Sequence, residues 1–103
     1  MLIVLEMSGA DLEMYVLGRD DFRHFAVAVA PEAELAPGDV FGGVVRVESA
    51  DQVWVDQDWL RTAADCEIGE RADALAAMLD FARRSGWVDP RSGEIAAHVE
   101  RRS

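Results

Sequence analysis

Lysine is missing from this sequence. All ten basic residues are arginine, and 20 aspartates and glutamates outweigh them to a net charge of −10 over 103 residues. A surface this rich in carboxylates repels nucleic-acid phosphates and anionic lipid, so neither is an expected partner. Mimicry of nucleic acid is the exception an acidic face allows, and plain solubility is the simpler reading of the charge. Cysteine is reduced to Cys66, which excludes a disulfide within the chain and fits a reducing compartment. No base adjoins Cys66 in sequence, so it reads as a small semi-buried side chain rather than a nucleophile. The opening MLIVLEM is too short for a membrane span, lacks a basic flank and contains Glu6. No signal peptide or membrane segment is therefore expected, and the cytoplasm is the expected location. Phosphate-loop, dinucleotide, HExxH, paired CxxC and GxSxG signatures are all missing, so no cofactor or metal is expected from motifs.

What is present describes a single domain over residues 1–103. Half the residues are apolar, enough for a modest core at this length. The charge is uneven, with 17 acids against 5 arginines through residue 82 and 3 against 5 afterwards. The most informative stretch is Phe41 to Leu60, FGGVVRVESADQVWVDQDWL. Val45 and Val47 alternate with Arg46 and Glu48, and Val53 and Val55 alternate with Gln52, Trp54 and Asp56. That period of two marks half-buried strands joined at Ser49-Ala50-Asp51. Gly42-Gly43 predicts a bend at positive φ. Asp56 or Asp58 is placed to cap a short helix.

Earlier in the chain, Leu2–Leu5 reads as a strand buried on both faces, and residues 2–7 and 12–17 as a hairpin across Ser8–Asp11. Phe22 to Ala30 carries both helical and alternating spacings; its valines and the stop at Pro31 favour strand. Pro31 to Asp39 reads as a connector. Ala72, Leu75, Met78, Leu79 and Ala82 form the stripe of a helix over about 69–85. It closes on Gly86, with Trp87 folded back onto its last turn. Trp87 to Glu100 reads as a final hairpin. The expected fold is α+β: five to six short, mainly antiparallel strands, with the 69–85 helix and a shorter one over about 57–65 packed on one face.

Two groups of residues stand out as candidate sites. Trp54, Asp56, Asp58 and Trp59 form the densest aromatic–acid cluster, a pattern that grips a cation or an arginine-rich surface. The bland reading makes Trp59 core, Trp54 a cover for the sheet and the acids helix caps. His24 and His98 each have an acid nearby, Asp21 and Glu100. If their strands were neighbours the two rings would meet and, with Glu100, hold a metal or share a proton. The bland reading leaves both on a solvent face. Three functions follow in order: a non-enzymatic interaction module of the inhibitor, immunity or adaptor kind that binds a basic protein; a homodimer with a small-ligand pocket; and a small enzyme or metal protein using His24 and His98.

Overall fold

The computed structural model describes residues 1–8 and 11–102. Its first strand, β1 (Leu2–Ser8), pairs antiparallel with β2 (Asp11–Leu17), Leu2 opposite Leu17 and Glu6 opposite Glu13. This is the expected hairpin, although Gly9 and Ala10 of its turn lie outside the described residues. Ile3, Val4 and Leu5 are all buried, as the unbroken apolar run requires.

Within Phe22–Ala30 only Ala26–Val29 forms a strand, β3, and all four residues are buried. The helical spacing is overridden because β-branched valines fit a pleated, fully covered strand better than a helix. The connector that follows ends in β4 (Val40–Phe41), a two-residue strand that alternation is too short to reveal. Then come β5 (Val45–Val47) and β6 (Gln52–Val55), paired as expected, with Arg46 opposite Trp54. Gly42 and Gly43 have φ of 59° and 72°.

Two helices follow. The shorter, α1 (Gln57–Ala63), starts at Asp56, whose Oδ1 accepts the Trp59 N–H at 2.9 Å. It ends in a Schellman motif: Asp65 N–H donates to the Thr62 carbonyl and Cys66 N–H to that of Arg61, with Asp65 at φ 57°. The longer, α2 (Gly69–Arg84), buries Leu75, Leu79 and Ala82. Asp80 pairs with Arg84 at 3.2 Å, the favourable i,i+4 order. Its end repeats the same motif, Gly86 donating to Arg83 and Trp87 to Ala82, and Trp87 turns edge-on to Phe81 at 5.7 Å.

The last strand, β7 (Ile95–Arg101), corrects the expected topology. It lies between β3 and β6, parallel to the first and antiparallel to the second, and β3 is also parallel to β1. Among the described residues the sheet therefore has seven strands rather than five or six, and it is mixed, in the order β2-β1-β3-β7-β6-β5-β4. The expected hairpin from Trp87 is reduced to a single bridge between Val88 and Ile95. The sheet curls until its ends nearly meet: any Cβ at Gly42, beside β4, would collide with the Met14 methyl of β2. Both helices and the inward strand residues share one cluster, including Ile3, Val27, Val55, Leu60, Leu75 and Ile95. Phe25, Trp59 and Met78 pack against this core half-buried. No helix among the described residues is long and apolar enough to cross a membrane.

Candidate ligand groove

Midway along its length β7 changes neighbours, and that change opens a groove. At its start the Ala96 N–H donates to the Trp87 carbonyl at 2.7 Å; from His98 onward the same side pairs with β3, beginning at Ala26. The Trp87–Asp89 segment and the Phe22–Phe25 segment thus approach one edge of β7 from opposite ends. Between them lies a cavity of about 510 Å³, within the ordinary range of small-molecule sites. Small residues Ala82, Ala96 and Ala97 leave the space at its base. Phe22, Phe25, Met78, Phe81 and Trp87 form its apolar sides, so four of the chain's eight aromatic residues converge here. Phe81 is 55 % and Trp87 51 % exposed, an apolar surface left in contact with water.

Each wall is positioned by a local device. The Schellman close of α2 turns Trp87 back onto Phe81. Phe22 lies 5.9 Å beneath the Arg71 guanidinium. Arg71 also donates to the carbonyls of Ala64 (2.8 Å), Asp65 (2.9 Å) and Arg19 (3.1 Å) and pairs with Asp20. One side chain on α2 thereby ties the end of α1 to the segment leading into β3. The bond to Asp20 holds the Arg71 guanidinium's pKa above its ordinary value.

The polar rim contains both histidines, beside the neighbouring strands β3 and β7. His24 sits just ahead of β3 rather than in it, and His98 pairs with Ala26 in the register. His24 Nδ1 is 3.0 Å from Asp21 Oδ2, and His98 Nε2 is 3.0 Å from Glu100 Oε1. The His24 ring, followed by the Arg23 backbone N–H, holds the Asp21 carboxyl below its usual range. Their side chains are 83 % and 63 % exposed, which keeps both rings well solvated. Among the described residues neither imidazole bonds a hydroxyl or thiol, and no group of three or more metal-ligating side chains gathers. Ser49, Asp51, Gln52 and Arg23 complete the rim.

The aromatic–acid cluster is differently employed. Asp56 caps α1, Asp58 pairs with Arg61 at 3.0 Å, and Trp59 is half-buried against the core. Trp54 lies on the face opposite the buried valines, its Nε1–H donating to Glu48 Oε2 at 3.0 Å. Arg46, its register partner, lies 5.7 Å from the Trp54 ring centroid and donates to Glu94 Oε1 at 2.8 Å; its other contacts are Asp89 at 3.4 Å and Glu48 at 3.9 Å. The Glu94 bond raises the Arg46 pKa, and backbone N–H donors led by Arg91 lower that of Asp89. Arg46 therefore occupies the place that a partner's cation would take over Trp54.

A broader depression of about 900 Å³ is lined by Val16–Arg23 alone; a single stretch of chain gives it no opposing wall. Sequence reasoning found the histidines of the 510 Å³ groove but missed its aromatic sides, because these come from three separated stretches. Trp87 was the available signal, placed just beyond a helix end. Comparison of the chain with protein-family models, with curated proteins and with solved structures gives no match in any of the three.

Proposed function

We propose that this chain is a non-enzymatic binding domain whose site is the groove between Trp87 and His24. The observation that carries the reading is the convergence of four aromatic rings and both histidines on one cavity with an alanine base. Leaving Phe81 and Trp87 half in water forgoes favourable burial, at about 25 cal/mol per Å² of apolar surface. A ligand that covers them recovers that term. The imidazoles serve here as hydrogen-bonding rim groups, since no nucleophile stands bonded to either among the described residues.

The test is a groove filled from within. Ala96 is half-buried at the base, and Ala96→Leu puts a larger side chain into the cavity. Binding of small aromatic ligands, followed by ligand-observed NMR, is expected to fall at least tenfold while the melting temperature stays within a few degrees. Undiminished binding in Ala96→Leu would remove the groove from consideration.

A second reading is favoured by the net charge: the domain docks a basic protein, with the carboxylates supplying long-range attraction. Its original anchor is Trp54 with Asp56, Asp58 and Trp59, whose polar groups have partners within the chain. Affinity for a basic partner that stays flat between 50 mM and 500 mM salt would eliminate this reading.

A further inference from the structure

Building on the groove as the binding site, we infer that its guest is a small organic cation, a protonated amine carried on a flat aromatic body. The ammonium sits at the rim among His24, His98 and Asp51, and the ring lies against Trp87. Three carboxylates stand at that rim against one guanidinium. Asp51 lines it directly, while Asp21 bonds His24 and Glu100 bonds His98, each at 3.0 Å. Arg23 is the one arginine among the lining residues.

The sheet, not the local chain, brings these groups together. His98 on β7 is flanked by Gln52 of β6 on one side and Ala26 of β3 on the other. The Val99 N–H donates to the Asp51 carbonyl at 2.8 Å, which fixes Asp51 beside His98. The hydrogen bonds at the rim also carry a sign. A neutral imidazole that donates one ring N–H to a carboxylate presents a lone pair at its other nitrogen. His24 engages Asp21 through Nδ1 and His98 engages Glu100 through Nε2, so His24 Nε2 and His98 Nδ1 are left as acceptors. Two acceptors and a carboxylate suit a charged N–H donor, whereas an anion meets only lone pairs there.

The aromatic wall points the same way. Aromatic faces attract cations, tryptophan most strongly. Elsewhere the chain covers such faces with its own arginines: Arg46 lies 5.7 Å from the Trp54 ring centroid and Arg71 5.9 Å from that of Phe22. Trp87 is half exposed, with Phe81 edge-on at 73° and no arginine over it among the described residues. Flat rings stack on such a surface or meet it edge-on. An aromatic amine therefore covers the exposed apolar area and satisfies the rim acceptors together.

The experiment uses four probes built on one naphthalene ring, titrated into the full chain by calorimetry at about pH 8, where imidazole is ordinarily neutral. They are 2-naphthylmethylammonium, its N,N,N-trimethyl derivative, 2-naphthylmethanol and 2-naphthoate. At physiological salt, exposed charges beyond about 8 Å are largely screened, so rim groups rather than the net charge set the order. The primary ammonium is expected to bind at least tenfold more tightly than the alcohol and the naphthoate, and severalfold more tightly than the trimethyl probe, which has no N–H to donate. Asp51→Asn should weaken the ammonium probe severalfold with little change for the alcohol, and Arg23→Gln should tighten it; both positions are exposed. Glu34→Gln, an exposed change outside the groove, should leave the order unaltered. Trp87→Ala should weaken every probe. If the alcohol binds as well as the ammonium and Trp87→Ala weakens both, the groove stands and the cation assignment is overturned. Tightest binding of naphthoate overturns it too, as does a loss in Glu34→Gln equal to that in Asp51→Asn. Equal affinity for the trimethyl probe overturns the role given to the imidazole acceptors. Failure of all four probes to bind overturns both the cation and the groove.

Discussion

Trp54 and Trp87 approach the same residue from opposite sides. Trp54 faces Ala96 across the β6–β7 pairing, and the Trp87 carbonyl takes the Ala96 N–H on the other edge. Their surroundings differ. Around Trp54 the chain supplies an arginine over the ring, a carboxylate for the indole N–H and two more carboxylates for the arginine. Around Trp87 it supplies one aromatic neighbour and open space. An aromatic–acid cluster in sequence is thus no guide to an available surface. A short hairpin places its own cation opposite its own ring, whereas a helix end leaves a ring exposed.

The sharpest way to break this comparison is to exchange the expected costs. Trp54→Ala should lower unfolding free energy by about 2 kcal/mol in urea titration, less than a full core aromatic because the ring is only half-buried. Its effect on the affinity of a small aromatic ligand for the groove should stay under twofold. Trp87→Ala should reverse the pattern, losing about 1 kcal/mol of stability but more than tenfold in affinity. Equal effects on both properties in both variants would mean that the two sites are not distinct.

Arg46→Met sharpens the comparison on the closed side. It keeps an apolar chain over Trp54 but removes the fork, leaving Glu94 and Asp89 without their cation. About 1 kcal/mol of stability should be lost, discounted because the guanidinium is partly solvated. A change far from both rings supplies the control. Asp65 holds φ 57°, a conformation glycine adopts freely, so Asp65→Gly should stabilise by about 0.5–1 kcal/mol and alter neither tryptophan's emission.

Acid provides the smallest effect. Asp21 at the groove and Asp89 beside Arg46 both have folded-state pKa values lowered from the ordinary 3.8. Their contribution is fully present above that value and is lost as pH falls through it toward the folded-state pKa. Stability should therefore decline below about pH 4, and Asp21→Asn and Asp89→Asn should each flatten the decline in thermal melts.

Local chemistry was legible where it was local. The hairpin alternation, the Asp56 cap, the stripe of α2 and the Gly86–Trp87 closure each depend on residues a few positions apart, and each stands as read. Periodicity states which face a residue occupies but not which strand lies beside it. For that reason the parallel β1–β3–β7 core escaped detection, and so did the groove at its fork. The Arg46–Trp54 pairing was within reach. A hairpin turning at Ser49–Asp51 sets those two opposite each other, and the alternation that exposed both was already visible.

The placement of β7 has a consequence for how the domain comes into being. The wing made of β2, β1 and β3 and the wing made of β6, β5 and β4 share no strand pairing until residues 95–101 are laid between them. On a ribosome, both halves would wait with unmatched edges while the helices and residues 95–101 emerge. Completion of the sheet is then a zipper-like event that follows synthesis of both halves, and its success rests on the strand laid between them.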